Sequence, residues 1–184
     1  MSDLFNKRLA TIVRIAELKP GLGKTVLMKF IYILQSVCKV PLGYDYKIYT
    51  YGPYANEVME DIDMAESMGY LNIGSQPYDS WVMYHINASN TASKATDKMS
   101  EFLEKYCGQL EEVSDLVKGK SAKDLELMST IIYLYDNYAK NRRTADANSI
   151  SENVRELKPH FDLEVIQSEY ERLNRSGILE RVIS

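Results

Sequence analysis

The run PGLGKT at residues 20–25 resembles the end of a phosphate-binding loop. A nucleotide-binding P-loop has a glycine, four residues and then Gly-Lys-Ser/Thr, because its backbone N–H groups must wrap around phosphates. The first glycine would fall at position 18, where this chain has Leu18. Apolar residues at helical spacing precede the run, whereas a P-loop follows a strand. We therefore predict a turn between two helices, with Pro20 and Gly21 as breakers, and no nucleotide site.

Residues suited to catalysis or metal binding are few. His85 and His160 are the only histidines, and neither has a Cys or His nearby at metal-ligand spacing. Cys38 and Cys107 lie in apolar helical contexts, which predicts two buried thiols in a reducing compartment. The chain also lacks a Gly-x-Ser-x-Gly elbow. These observations predict a protein that is not an enzyme and that needs no cofactor or metal.

The composition predicts a cytoplasmic protein. The chain has 184 residues, of which 45% are hydrophobic, so it can bury a sizeable core in one domain or in two small ones. No apolar run approaches the roughly 20 residues that span a bilayer. The first residues lack the apolar core and cleavage site of a signal peptide. We accordingly expect no membrane association.

Residues 46–73 change periodicity twice within a short run. Residues 46–51 alternate in character, which predicts a strand with two distinct faces. Pro53 can occupy the first turn of a helix because its missing N–H would have no partner there. Apolar residues at helical spacing follow, and Gly69 stands where a helix end favours positive φ. This order predicts a strand, a helix that starts at the Gly-Pro turn, and a return strand.

The remaining elements predict a mainly helical α+β fold built on a winged helix. The second helix is apolar on both faces, which indicates a central position. A hairpin with its turn in residues 74–79 would form the wing. We predict a winged-helix domain over residues 1–90, a helical pair over 91–140 and a C-terminal winged-helix-like unit over 141–184. In the last unit, residues 178–182 are predicted to form a strand.

Two short motifs carry a family resemblance. The helix motif KFIYIL spans residues 29–34, and the turn motif YGPY spans residues 51–54. Together they resemble the YwgA-like proteins of bacteria and archaea, which are small winged-helix proteins. More distantly, the chain is similar to Panacea-type antitoxin domains, which implies that neutralisation of a partner protein is one function to consider. The family often has Ser directly after the turn, but this chain has Ala55, so the helix cap would fall to Gly52 or be absent.

Tyrosines crowd the segment that holds the predicted strand, turn and hairpin. Tyrosine combines a large apolar ring with a polar tip, so it suits both half-buried sheets and binding surfaces. We expect most of these rings to pack under the sheet and the rest to form an exposed patch, with Tyr51 and Tyr54 as the leading candidates. The tyrosines are Tyr44, Tyr46, Tyr49, Tyr51, Tyr54, Tyr70, Tyr78 and Tyr84.

Charge argues against the usual DNA-binding mode of a winged helix. That mode places the third helix in the major groove and needs Lys or Arg there. The third helix of this chain has five carboxylates and no basic residue, and the whole chain has a formal charge of −4. A polyanion would be repelled by this surface. The compact basic residues lie elsewhere; they are Lys140, Arg142 and Arg143 and are called the basic cluster below.

These observations lead to two functional hypotheses. The preferred one is a non-enzymatic regulatory or protein-interaction module that binds an unidentified protein partner. An antitoxin-like protein is one version of this hypothesis. Its contact residues would be Tyr51, Tyr54, Glu57, Glu60 and Asp61, with the three carboxylates exposed to solvent. The alternative is a transcription regulator that binds DNA through the wing or the basic cluster. Both a monomer and a homodimer remain open.

Overall fold

A computed structural model describes residues 2–78 and 81–183 as a mainly helical α+β protein with two small antiparallel hairpins. This confirms the predicted fold class. A single 3₁₀ turn, Asp97–Met99, interrupts the described helices between α4 and α5. The elements in chain order are α1 (Asp3–Leu18), α2 (Lys24–Ser36), β1 (Lys47–Tyr49), β2 (Gly52–Tyr54), α3 (Asn56–Ser67), β3 (Leu71–Tyr78), β4 (Trp81–Ala88), α4 (Ser93–Thr96), α5 (Ser100–Lys105), α6 (Cys107–Leu116), α7 (Ala122–Lys140), α8 (Ala147–Leu157), α9 (Leu163–Arg175) and α10 (Ile178–Ile183).

Helix α2 lies at the centre of the protein. Every residue from Leu27 to Leu34 is buried, so the helix has no solvent-facing stripe over this stretch. It contacts α1, α3, α6 and α7 as well as strands of both hairpins. Because an all-round apolar helix can only be stable when covered on all sides, the predicted central position of α2 is confirmed.

The Gly-Pro turn forms a strand and does not start a helix. Strand β2 pairs antiparallel with β1, and Pro53 lies opposite Ile48. Helix α3 begins later, after Ala55, which provides no side-chain cap. The prediction that Pro53 starts the helix is therefore wrong. A proline near a strand edge is compatible with this pairing because it lacks only an N–H donor, and Gly52, at φ +86°, provides the tight turn.

The second hairpin follows α3, as the sequence predicted. Strands β3 and β4 pair antiparallel from Leu71 opposite Ala88 to Tyr78 opposite Trp81. Strand β3 thus continues through most of the segment where the turn was predicted, and Asp79 lies outside the described residues. The α1–α2 loop joins the outer edge of β4 through a bridge between Leu22 and Ile86.

The described residues of the C-terminal third form helices joined by loops, without a strand. The strand predicted for residues 178–182 is wrong, because this segment forms α10. Ile178, Leu179 and Val182 are buried, at a spacing that places them on one helical face, whereas a strand would need a pairing partner. Likewise, the first member of the predicted helical pair is divided, with a break at Tyr106 between α5 and α6. The division of the chain into 1–90, 91–140 and 141–184 stays a prediction.

The two cysteines differ from the prediction in their exposure. Cys38 is half-buried and Cys107 is exposed, and both are free thiols. The prediction of a buried thiol is thus wrong for Cys107, which begins α6 beside the break at Tyr106 and so lies outside the apolar stripe. Across residues 2–78 and 81–183, no helix combines the length and apolar character needed to cross a bilayer.

Candidate functional site

Two buried lysines from distant parts of the chain hold the β1–β2 hairpin. Lys29, from the middle of α2, donates a hydrogen bond from Nζ to the carbonyl oxygen of Pro53 at 2.6 Å. Lys158, at the end of α8, donates to the carbonyl oxygen of Tyr49 at 3.0 Å and also to that of Thr50. Both lysines are only 2% exposed. The backbone of this small hairpin is therefore held by charged donors on both strands and at the turn.

A buried glutamate of α7 compensates these charges. Oε1 of Glu126 lies 3.0 Å from Nζ of Lys158 and 3.4 Å from Nε2 of His160. That oxygen is buried, yet it has no aligned hydrogen bond within the described chain. Burial lowers the pKa of Lys29 to about 7; repulsion by Lys158 adds to this effect, and attraction by Glu126 opposes it. The cluster therefore has one lysine whose charge changes near neutral pH.

The turn also packs tightly against α7. A Cβ added to Gly52 would lie 3.0 Å from Oγ1 of Thr130 and 3.2 Å from Oγ of Ser129. Gly52 also has a positive φ, which residues with a side chain rarely adopt. The YGPY motif thus has a glycine for two reasons, backbone conformation and close approach to a helix.

A cleft of about 690 Å³ opens beside this turn. Its volume lies within the range of roughly 300–1,000 Å³ that is typical of ligand sites. The walls come from the α1–α2 loop, the β1–β2 turn, β4, the start of α7 and the α8–α9 loop. We call it the central cleft; its lining residues are Gly21, Gly23, Lys24, Thr25, Val26, Tyr51, Val82, Met83, Tyr84, His85, Ala122, Lys123, Glu126 and His160.

The rim of the central cleft is cationic, although the chain as a whole is acidic. Lys24 Nζ lies 3.1 Å from Oδ1 of Asp63 and 4.9 Å from the centre of the Tyr84 ring. Lys123 is exposed, and no carboxylate of the described residues lies within salt-bridge distance of it. Helix α2 begins at this rim, after Gly23, without a side-chain cap, so the positive end of its dipole faces the cleft.

Most of the residues predicted to bind a partner lie on one exposed strip. Tyr51 is 66% exposed and lines the central cleft. Tyr54 is half-buried, and its hydroxyl donates to Oδ1 of Asn56 at 3.3 Å. The amide of Asn56 donates in turn to Oε1 of Glu60 at 2.5 Å. Glu60 is exposed and Glu57 is half-buried. The structure thus brings Tyr54, Glu57 and Glu60 together around Asn56, whereas Tyr51 lines the central cleft.

Asp61 does not belong to this strip. It is buried at 6% exposure, and it accepts a hydrogen bond from the Tyr44 hydroxyl at 2.8 Å. Arg8 NH1 lies 3.8 Å from the same carboxylate oxygen. Burial raises the pKa of the Asp61 carboxyl, while the hydrogen bond from Tyr44 and the charge of Arg8 oppose the rise. The prediction that Asp61 is exposed is wrong, because it lies on the same helical face as Val58 and Ile62.

The basic cluster lies at the far end of α7 from the central cleft. Lys140, Arg142 and Arg143 are all exposed. Lys140 forms an ion pair with Asp136 at 2.6 Å, and the guanidinium of Arg143 lies 5.9 Å from the centre of the Tyr138 ring. The helix has 19 residues, so its two ends are separated by about 27 Å. The two candidate surfaces are therefore spatially separate.

The sequence did not reveal the buried charge cluster. Glu126 and Lys158 carried no signal, because each is a charged residue on a segment with ordinary amphipathic spacing. Lys29 did carry one, since it is a lysine inside a helix that is apolar on both faces. A charge at such a position requires a buried partner, so the sequence could have predicted that Lys29 has one, although not that it is the Pro53 carbonyl.

The P-loop-like run and the two histidines were the residues considered for catalysis or ligand binding. Helix α1 leads into the loop at residues 19–23, and α2 begins at Lys24, so a helix stands where a P-loop requires a strand. His85 and His160 both line the central cleft. Within residues 2–78 and 81–183, no group of three His, Cys, Asp or Glu side chains is arranged to hold a metal ion.

Comparison with protein-family models finds no matching family. The chain is similar to the "Uncharacterized protein YwgA" of Bacillus subtilis (strain 168), with 28% identity over 112 residues. The match covers 61% of this chain and 64% of that relative, so the chain spans somewhat less than two thirds of the relative's length. Together with the two motifs at residues 29–34 and 51–54, this similarity supports a relationship between the chain and the YwgA-like proteins.

Proposed function

We propose that this protein is a non-enzymatic binding module that recognises a partner protein through the tyrosine-bearing β1–β2 hairpin and the adjoining strip of α3. We call this area the hairpin surface; it consists of Tyr49, Tyr51, Tyr54, Glu57 and Glu60. The scaffold that we infer is a winged helix, with β3–β4 as its wing. Neutralisation of a partner, as in the Panacea-type antitoxin domains that the chain resembles, is one form that this function could take.

The observation that carries the proposal is the display of two large aromatic side chains in solvent. Tyr49 is 68% exposed and Tyr51 is 66% exposed. Both belong to a hairpin whose backbone carbonyl groups accept hydrogen bonds from the buried Lys158. Tyr49 also contacts the Tyr54 ring, at 5.7 Å between ring centres. Tyrosine is enriched at protein interfaces because a large ring with few rotatable bonds loses little entropy on binding.

The anchoring of the hairpin supports the same proposal. A three-residue strand pair is too short to be stable by itself in water. Lys29 and Lys158 hold its carbonyl groups, and Gly52 seats its turn against α7. A surface that is rigid before binding avoids the entropic cost of ordering a loop. The buried lysines thus have a role consistent with preorganising a contact surface.

The DNA-binding alternative has less support. The wing, residues 71–88, contains no Lys or Arg, and neither does α3. Of the two surfaces predicted to bind DNA, the basic cluster is the one that carries Lys and Arg, and one of its three side chains is already paired with Asp136. Sequence-specific binding needs base contacts in addition to phosphate contacts. We therefore favour a protein partner.

The experiment that tests the proposed function is affinity capture with a matched set of variants. The full chain carries a tag and is expressed in its host at native level, then crosslinked and captured, and the retained proteins are quantified by mass spectrometry. We expect a reproducible partner that is retained by the unmodified chain and reduced at least several-fold by the double substitution Tyr49→Ala, Tyr51→Ala, because truncating aromatic anchors removes hot-spot contacts.

The control is Val165→Ala, which removes an exposed apolar side chain from α9. Its capture profile should equal that of the unmodified chain, and all variants should melt at similar temperatures. Capture of no protein above background, or equal capture by the tyrosine variant, would contradict the proposed function.

A further inference from the structure

Strand β4 is paired on its outer edge for only part of its length. The Gly21 N–H donates to the carbonyl oxygen of Ile86, and the Ile86 N–H donates to that of Leu22, both at 2.9 Å. The loop then turns away into α2 at Lys24. A Cβ on Gly23 would lie 3.6 Å from the carbonyl oxygen of Tyr84, so the loop still runs beside this residue but forms no backbone hydrogen bond with it. Beyond that point the edge of β4 borders the central cleft.

The register shows which backbone groups point into the cleft. In an antiparallel pair, alternate residues direct both their N–H and C=O groups away from the partner strand. Ile86 directs both groups outward, to Gly21 and Leu22, so Tyr84 and Val82 must do the same. Pro77 lies opposite Val82. This fits the assignment, because a residue of β3 at this position does not donate an N–H to β4, and proline has no N–H to donate. No described residue of the chain pairs with these groups of Val82 and Tyr84.

The side chains around this free edge favour an anion with an apolar neighbour. Lys24 and Lys123 stand on the rim, and the uncapped start of α2 adds a positive dipole end. Val82 and Tyr84 themselves are exposed at 46% and 37%, which leaves apolar surface beside the charges. Glu126 also borders the cleft, and its buried Oε1 is already paired with Nζ of Lys158 at 3.0 Å.

We propose that the central cleft binds an extended, acidic segment of the partner protein, which adds as a strand to the free edge of β4 at Val82 and Tyr84. This inference rests on the proposed function, since it assumes that the occupant belongs to a protein partner. Strand addition supplies affinity through backbone hydrogen bonds, and the side chains along the groove supply specificity. Acidic residues of the segment meet Lys24 and Lys123, while alternating apolar residues contact Tyr51, which connects the cleft to the hairpin surface.

The first test uses proline to remove the strand edge. A library of random short peptides is selected on the immobilised full chain, and enriched peptides are labelled and titrated by fluorescence anisotropy. We expect enriched peptides in which Asp or Glu alternates with apolar residues. Val82→Pro removes an outward N–H without removing a β3–β4 hydrogen bond, so it should weaken binding roughly tenfold or more, as expected for one or two lost hydrogen bonds.

The matched control is Ser75→Pro, on the outer edge of β3. Ser75 lies opposite Tyr84, so its N–H also points away from the hairpin, but on the side remote from β4. Pro77 already occupies an equivalent position on this strand. Ser75→Pro should bind the selected peptides as the unmodified chain does, and both proline variants should keep native circular dichroism and melting.

The second test addresses charge. The double substitution Lys24→Gln, Lys123→Gln should weaken peptide binding roughly tenfold at low salt and less at high salt, because the lost attraction is screened. Lys140→Gln is the control, since Lys140 also pairs with an Asp but lies at the other end of α7. It should leave binding unchanged.

Several outcomes would overturn the inference. They are enrichment of no peptide, enrichment of peptides without acidic residues, or binding that survives Val82→Pro. A concentration-dependent dimer that Val82→Pro abolishes would assign the edge to a second copy of the chain instead. If a partner is captured through Tyr49 and Tyr51 but is retained equally by Val82→Pro, strand addition fails while the proposed function stands.

Discussion

Substitution of Lys29 by methionine should remove a rise in stability between pH 7 and pH 9. In the folded protein, burial lowers the pKa of Lys29 from 10.5 to about 7. The unfolded chain keeps this lysine protonated up to its ordinary pKa. Between the two values the unfolded state binds more protons than the folded state, so the free energy of unfolding rises with pH.

The size of the rise follows from the same pKa. One proton of difference between the two states is equivalent to about 1.4 kcal/mol per pH unit. Lys29 is already half deprotonated near pH 7, so the gain up to pH 9 is about 2 kcal/mol. Above pH 9 the rise levels off, because burial raises the pKa of Cys38 from 9.0 to about 11, so ionisation of the thiol in the unfolded chain offsets the gain from Lys29. The useful window is therefore pH 7–9.

The assay is urea unfolding followed by circular dichroism at several pH values within this window. Lys29→Met leaves the Pro53 carbonyl without its donor, so its absolute stability will differ, and the slope against pH is the quantity to compare. Lys94→Met, at an exposed position of α4, is the control and should keep the slope of the unmodified chain. A flat profile in the unmodified protein, or an unchanged slope in Lys29→Met, would refute the reasoning.

Three further predictions concern the turn, α3 and the basic cluster. Gly21→Ala should cost roughly 1 kcal/mol for its positive φ alone, whereas Gly52→Ala should cost about 1–3 kcal/mol more in chemical denaturation because its Cβ would overlap α7; equal costs would mean that the turn does not pack there. Asp61→Lys should destabilise the fold by roughly 3–5 kcal/mol by placing a like charge beside Arg8, while Glu60→Lys should change it by less than about 1 kcal/mol; similar melting of the two variants would contradict the burial of Asp61. In fluorescence anisotropy across a salt series, the protein should bind neither genomic upstream DNA nor random duplex tightly at physiological salt, and neutralising the basic cluster should change nothing. Tight binding that prefers upstream DNA, and whose salt slope falls by about one unit per lost phosphate contact, would instead support a DNA regulator.

Local sequence determined the first three helices and the second hairpin. Helical spacing of apolar residues predicted α1, α2 and α3, and two-sided apolarity predicted that α2 is central, because these features depend only on which residues one helix places on each face. Helical spacing also predicts that the Asp61 side chain is buried. Residues 58, 61, 62 and 65 share one face of α3, so spacing placed this carboxylate inward although its residue type suggested solvent.

Tertiary structure alone decided the Gly-Pro turn and α10. Proline is compatible with both the first turn of a helix and an edge strand. The strand forms here because Lys29 of α2 binds the Pro53 carbonyl and because Gly52 packs closely against α7. Likewise, residues 178–182 are apolar enough for a strand, but the described C-terminal third has no strand for them to pair with, so they pack against α7 and α9 as a helix.

The buried cluster and the central cleft also depend on the fold as a whole. Lys29, Glu126 and Lys158 are far apart in sequence and carry no shared spacing, so only packing of α2, α7 and the end of α8 brings them together. The sequence specifies which charged side chains are available to form buried pairs. The tertiary structure decides which pairs form, because an ion in the interior is tolerated only where a partner of opposite charge or a backbone dipole reaches it.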